Sequence, residues 1–427
     1  MFRYSSAKQG KIKKIQFGVL SPDIIRALSV AEIKHSKDYE NDFPVENGIF
    51  DTRLGSTERT YGCTTCFNDI LECPGHFGHI ELIRPLYNIG FMKVVLSILR
   101  SVCFECSGLL INNDNDISEI MKIKKSRKRL EKIVEISRKI KCCGYKCEYI
   151  QPKFSLIDDS IIIEHKHPVE DDTINIKNNL SASKAHDIFK KISNKNCETL
   201  GLDPRYTRPE WLITTVLPVP PPQLRPSLIT DGKRYINDLS RIFIEIIKTN
   251  NLIKQEELDG NDAKKMNINE TLLQFYVSLI INSKIAGKTP GQEDNEILSI
   301  RQRLDGKRGR IRGNIMGKRV NFSARTVIGG DPTLTLNEVG IPKSIAMKLT
   351  VPEKVTHNNL TYMQNIVRNG PYELLGAHSI IKNDRSVIFL QKGAEAPEIQ
   401  EGYTINRHLK NGDMVIFNRQ PSLECWG

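Results

Sequence analysis

Residues 61–79 read YGCTTCFNDILECPGHFGH. Two residues separate Cys63 from Cys66, six follow, and the same spacing returns with Cys73 and His76. Each half is a tight knuckle that presents two soft or borderline ligands to one point. Four such ligands suit tetrahedral zinc and leave no position for water, which describes a structural site rather than a catalytic one. Gly62, Pro74, Gly75 and Gly78 supply the tight turns that aim the ligands. A thioredoxin-type redox pair or buried structural thiols are the alternatives, but both halves are present at ligand spacing, so zinc is preferred. His79 ranks second to His76 as fourth ligand, because His76 repeats the spacing of the first knuckle.

Further along, CFEC supplies Cys103 and Cys106, and KCCGYKC supplies Cys142, Cys143 and Cys147. They predict a second zinc site with Cys147 as fourth ligand and Cys143 or Cys142, which spacing does not separate, as third. Between the halves lies MKIKKSRKRLEKIVEISRKIK, residues 121–141, where Leu130, Ile133, Val134 and Ile140 share one helical face. Its basic run at 122–129 reads as a nuclear import signal, a phosphate-binding face or, preferred here, a solvated helix surface.

The whole chain agrees with a folded, reduced, polyanion-seeking protein. It has 427 residues, 39% of them apolar and 26% charged, enough for two or three domains with real cores. Ten cysteines without a secretory signal argue for thiols and metal rather than disulfides, and for the cytosol or nucleus. A net charge of +12 favours a polyanionic partner. The longest apolar runs, such as VVLSIL at 94–99, fall far short of the roughly 18 residues of a spanning helix, so no membrane association is expected.

SPDIIRALSVAEI predicts a helix with Ser21 as cap, Pro22 at its first position and Asp23 complementing the dipole. Apolar periodicity predicts others over 86–101, 183–192, 234–254, 268–285, 342–349 and 358–368, and strands near 386–391 and 413–418. No internal repeat is visible, which gives an irregular α+β protein. The prolines of LPVPPPQLRP, 217–226, forbid helix and predict an extended internal connector rather than a ligand for a proline-recognition domain.

Residues 301–325, RQRLDGKRGRIRGNIMGKRVNFSAR, carry nine basic residues against one acid, Asp305. Glycines at 306, 309, 313 and 317 predict a loop whose backbone approaches a phosphate chain while arginines hold its oxygens. Ile311, Ile315, Met316, Val320 and Phe322 are expected to tie this run into a core. It is the strongest nucleic-acid footprint in the chain.

At this point the chain resembles the largest subunit of multisubunit DNA-directed RNA polymerases, most nearly that of eukaryotic RNA polymerase II. The matching stretches, in the family's order, are IQFGVLSPDIIRALSV, the knuckle ending CPGHFGHIEL, RPEWLITTVLPVPPPQLRPS, GRIRGNIMGKRVNFSARTVI, GDPTL with VGIPKSIAMKLTVPE, and VIFNRQPSL. The resemblance implies a zinc-stabilised clamp core over 1–315, with the lid and rudder region. A switch loop and the start of the active-site domain would follow over 316–427. It implies two structural Zn2+ ions, nuclear location, and transcription with template DNA, the RNA–DNA hybrid, and the second-largest and smaller polymerase subunits as partners.

By the same resemblance, Lys307, Arg310, Arg312, Lys318, Arg319 and Arg325 hold template phosphates, and Arg419, Gln420 and Pro421 face the incoming nucleotide and RNA end. An arginine donating to a ribose 2′-hydroxyl would help select ribose. Asp305 stands where the family usually has a lysine and Arg308 where an acid is common, which redistributes charge in the loop. The family's Mg2+-binding aspartates, in NADFDGD, follow NRQPSL, and no such motif occurs here. The expectation is therefore an N-terminal portion of the subunit, inactive alone. A non-catalytic zinc-containing nucleic-acid-binding module or decoy is the alternative.

Overall fold

The computed structural model describes residues 10–420 apart from 41–42, 59–60, 71, 145–146, 158–159, 170–171, 232, 261–262, 287–296, 385, 392 and 394. It forms two compact units, Met1–Gly313 and Asn314–Gly427. Among the described residues helices and small sheets mix without a barrel, as an α+β chain should.

The first unit is organised on one strand, Phe77–Tyr87. It runs parallel to Ser29–Glu32 on one edge and antiparallel to Ile213–Val219 on the other. The segment predicted as one helix from Ser21 is in fact divided. Ser21 caps the helix Pro22–Leu28 by accepting from the Ile24 N–H at 3.1 Å. The chain then extends, because Ala31 and Ile33 alternate into the core and the first of them pairs with Gly78. The helix expected from residue 86 also begins late, at Met92, since Leu86 and Tyr87 stay in the sheet opposite Thr214 and Ile213.

The ladder to Ile213–Val219 breaks between Glu81 and Leu86. Side-chain amides from two long helices, Asp238–Asp259 and Ala263–Ile281, complete it. Asn250 accepts from the Ile83 N–H at 3.1 Å and donates to the Glu81 carbonyl at 2.9 Å. Gln274 does the same for the N–H and C=O of Tyr87, both at 2.8 Å. Arg84 adds ion pairs to Glu257 and Glu270, one on each helix.

This strand joins two cores. Ile80, Leu82 and Leu86 pack with Ile242, Phe243, Ile246 and Val277 of the long helices. Tyr87 enters the other core, with Val95, Ile98, Ile133, Ile161 and Phe189, and its hydroxyl donates to the Leu180 carbonyl at 3.1 Å. That second core is built from Met92–Leu99, Asp114–Lys122, Ser126–Ser137 and Ala182–Lys190, and from the meander Lys153–Ile157, Ser160–Val169, Asp172–Asn179. The face read from sequence in 121–141 is the buried one: Ile133 and Val134 are buried, and Leu130 and Ile140 pack against the core.

The proline-rich stretch is internal. It begins in the strand Ile213–Val219 and closes with a short 3-10 turn, Pro222–Leu224, where Pro221 and Pro222 are buried. Arg225 is fully buried behind it, donating to the carbonyls of Pro220 at 3.0 Å and Ile49 at 2.6 Å and to the Ser240 hydroxyl at 3.1 Å. Burial pushes its guanidinium down to about 9.

The second unit carries an antiparallel sheet in the order Thr350–Lys354, Thr404–His408, Ala377–Ile381, Val387–Phe389. The helix Leu360–Asn369 packs on it through Met363, Ile366 and Val367. The strand expected at 413–418 does not form: Thr404–His408 already has a neighbour on each side, and Met414–Phe417 are exposed. Instead Asp413 accepts two bonds from the buried Arg407, at 2.7 and 2.8 Å, and one from the Lys410 N–H. Arg407 also bonds Glu353.

Two outcomes follow from these contacts. Asn250→Ala strands a donor and an acceptor of the central strand and should cost about 3 kcal/mol in urea unfolding; a loss under about 1 kcal/mol would mean the ladder does not need it. The Arg407 bonds hold the Asp413 carboxyl below its ordinary value. Its contribution is therefore complete above the unfolded value of about 4 and is lost as pH falls through the lower native one. Asp413→Asn should flatten the acid limb of thermal stability.

Candidate metal centres and nucleic-acid interface

The ligand atoms of Cys63, Cys66, Cys73 and His76 lie within 4.8 Å of one another, and so do those of Cys103, Cys106, Cys143 and Cys147. Within the groups Cys103 and Cys147 sulfurs are 3.5 Å apart, Cys106 and Cys143 sulfurs 3.7 Å, and Cys73 Sγ is 3.8 Å from His76 Nε2. A disulfide would bring sulfurs to about 2.05 Å. Metal–sulfur bonds of about 2.3 Å at tetrahedral angles place sulfurs about 3.8 Å apart. Both donor sets therefore fit a tetrahedral soft cation.

The knuckles share one construction. The N–H of Phe67 donates to the Cys63 carbonyl at 2.9 Å, and the Cys63 N–H donates to the Asn68 carbonyl at 3.2 Å. In the second group the N–H of Ser107 donates to Cys103 O at 3.0 Å, and Cys103 N–H to Gly108 O at 2.8 Å. Phe67 and Ser107 both take the left-handed conformation, with φ of 57° and 56°. The half-site Cys143 to Cys147 is one residue longer, and its turn moves by one: Glu148 has φ 45° and the Cys143 N–H reaches Tyr149 O at 3.0 Å.

That register decides between the adjacent thiols. Cys142 is exposed and bridges to Ile150 through backbone, while Cys143 is buried in the group. His79 is equally placed elsewhere: on the strand Phe77–Tyr87, its Nδ1 lies 2.7 Å from Ser29 Oγ and its Nε2 3.6 Å from Glu81. Gly75, at φ +79°, has no room for a side chain, since a Cβ would come within 2.7 Å of Pro221.

Burial raises the Cys63 thiol, but N–H groups of Cys66 and Thr65 and the neighbouring thiols more than reverse it, leaving it below its ordinary value. Burial pushes Cys73 up to about 11 and Cys106 up to about 12, with neighbouring thiols adding to it. Such crowded thiols ionise together only around a cation. Two supporting residues were invisible in the sequence. Gln223 Nε2 lies 3.9 Å from Cys73 Sγ across 150 positions, and Gln151 Nε2 donates to Cys103 Sγ at 3.2 Å across 48. No local spacing signals partners so distant.

The basic run divides between the units. In the first, a capping box between Ser299 and Gln302 starts the short helix Ile300–Leu304. Arg303 is used by the fold, donating to Leu298 O, Leu224 O and Asn237 Oδ1. Lys307, Arg310 and Arg312 are exposed. At Gly309 an added Cβ would sit 2.2 Å from Asp305 O, so the backbone turn there admits glycine alone. Part of the expected loop is a wide helical turn, Ile311–Met316.

In the second unit Lys318, Arg319 and Arg325 are exposed, as are Arg419 and Gln420; Pro421 lies outside the described residues. The expected anchoring is overturned: Ile311, Ile315, Met316, Val320 and Phe322 are exposed, between 49% and 80%. The turn and the irregular chain after it project these side chains outward, and no described element covers them. Among the described residues no helix is long and apolar enough to cross a membrane.

Two family models match the chain, RNA polymerase Rpb1 domain 1 over residues 9–315 and Rpb1 domain 2 over 317–427. The chain belongs to the Rpb1 family of RNA polymerase largest subunits. It is 42% identical over 431 residues to the DNA-directed RNA polymerase II subunit RPB1 of Euplotoides octocarinatus, covering 97% of this chain and 90% of that protein.

Metal content separates the adjacent cysteines. Cys143→Ser should lower bound metal by one equivalent per chain, whereas Cys142→Ser should leave it unchanged, as read by colorimetric release under reducing conditions.

Proposed function

We propose that this chain serves DNA-dependent RNA synthesis in the nucleus, as the clamp and template-binding portion of an RNA polymerase II largest subunit. The observation that carries the reading is the 42% identity to an RNA polymerase II RPB1 across 97% of the chain. Residues 1–315 act as clamp core with the lid and rudder region, and 316–427 as switch loop and part of the active-site domain.

Zinc is the cation for both thiol groups, because four Cys and His donors at tetrahedral spacing leave no open position. Its chemistry is structural. Cys63, Cys66, Cys73 and His76 fix the entry to the central strand, and Cys103, Cys106, Cys143 and Cys147 close the loop that carries the helix Ser126–Ser137.

Lys307, Arg310, Arg312, Lys318, Arg319 and Arg325 bind phosphates of template DNA and the RNA–DNA hybrid; their exposure supports this. Arg419, with Gln420 and Pro421, faces the RNA end and donates to the ribose hydroxyl. The exposed Ile315, Met316, Val320 and Phe322 suit burial against the second-largest or smaller polymerase subunits. Magnesium serves the complete enzyme, and no residue of this chain is assigned to it.

Replacing Arg310 and Arg312 by alanine should weaken duplex DNA binding and reduce the slope of log K against log salt by about 1.8, near 0.9 for each lost phosphate contact. An unchanged slope in fluorescence anisotropy would refute their role.

A further inference from the structure

The helix Ser126–Ser137 carries more positive charge than its fold uses. Its buried face is Ile133, Val134 and Ser137. On the opposite face and the approach to it stand Lys124, Lys125, Lys128 and Lys132, all exposed. Lys122, Arg138, Lys139 and Lys141 extend the same exposed charge beyond both ends. The acids within the helix are Glu131 and Glu135, paired on the surface with Arg127 and Lys132.

Helix stability does not account for this charge. The first turn holds no acid, Lys125 provides no side-chain cap, and cations there oppose the helix dipole. Arg129 is the basic residue here that the fold consumes: it donates to the carbonyls of Ile123, Glu198 and Met121, fixing the turn before the helix. The lysines around it make no comparable contribution to packing.

We propose that this face is a second docking surface for the phosphate backbone of duplex nucleic acid, separate from the 301–325 run. It rests on the nucleic-acid reading of the chain, but not on Arg310 or Arg312. Twelve helical residues extend about 18 Å, the rise of about five phosphates along one strand of B-DNA. Lys128 and Lys132 on the exposed face of the helix, with Lys124 and Lys125 leading into it, form a row of positive charge along a segment rooted in the core by Ile133, complementary to a polyanionic backbone. A transport receptor reading the same charges as an extended peptide is disfavoured, because residues from Ser126 onward are helical and rooted in the core by Ile133.

The test compares the full chain with Lys124→Gln/Lys128→Gln/Lys132→Gln, each in the parent and in the Arg310→Ala/Arg312→Ala background. The probe is a labelled 20-base-pair duplex, titrated between 50 and 200 mM salt. The triple variant should lower the salt slope by about 2.7 in both backgrounds, so this fourfold salt rise costs it about 40-fold less affinity than it costs the parent. An unchanged slope in both backgrounds overturns the proposal and leaves a solvated face. A lost effect of Arg310→Ala/Arg312→Ala with a retained lysine effect would sink the proposed function of the arginines alone. Unchanged duplex binding with lost nuclear accumulation of the tagged chain would assign the lysines to a transport receptor instead. Bound zinc and circular dichroism check the fold; if the triple variant fails them, Lys128→Gln alone should lower the slope by about 0.9.

Discussion

The first unit depends on how one strand is completed. Phe77–Tyr87 starts immediately after His76, the last member of the first ligand cluster, and ends where Tyr87 enters a second core. Its ladder to Ile213–Val219 is interrupted after Glu81, which would leave backbone donors and acceptors unpaired next to buried Leu82 and Leu86. Asn250 and Gln274 supply the missing partners. A helix pair is thus joined to a sheet by hydrogen bonds with backbone geometry, which fixes register as well as packing. The cysteine group upstream and the helical core downstream take their positions from the same eleven residues.

The two cysteine groups solve one geometric problem with different sequence. In the first, the N–H groups of Thr65 and Gly75 point toward Cys63 and Cys73 sulfur, both at 3.4 Å; in the second, the left-handed Ser107 and Glu148 turn the following N–H groups, of Gly108 and Tyr149, toward Cys106 and Cys147. Three of the left-handed positions, Phe67, Ser107 and Glu148, are not glycine and store roughly 1–2 kcal/mol of strain each. Bonds to a cation at either group would offset that strain. The longer half-site at Cys143 shows that the turn follows the second cysteine, not the first.

Much of this was legible because ligand spacing and helical periodicity are local properties. Cys63, Cys66, Cys73 and His76 could be grouped from their intervals, and the face of Leu130, Ile133, Val134 and Ile140 from its period. Cys142 and Cys143 could not be separated, since the choice depends on the hydrogen bond from Cys143 to Tyr149. The extended run at Ala31 and Ile33 was hidden by the helix signal of Pro22–Leu28 just before it. Long-range partners such as Gln223, Gln151 and Asn250 left no trace, because a lone amide in a helix or turn has no pattern. The apolar residues near Phe322 misled for a related reason: hydrophobicity says that a side chain seeks cover, not which chain supplies it.

A net charge of +12 also overstates what faces a partner, and the arginine and lysine side chains divide the work. Arg225 joins Pro220, Ile49 and Ser240; Arg129 holds the turn at Ile123; Arg303 reaches Leu224 and Asn237; Arg84 ties two helices to a strand. The planar guanidinium, with five fixed donors, suits this internal joinery, while a strongly hydrated ammonium does not. Lysine accordingly dominates the exposed row around the helix Ser126–Ser137, where an ammonium keeps its hydration. The exposed arginines from Arg310 to Arg325 differ in being interleaved with glycine, so the backbone itself can approach and the fork can bind two oxygens at once. One charge total therefore contains three populations: arginines spent on the fold, exposed arginines set in a glycine-rich run, and exposed lysines around one helix.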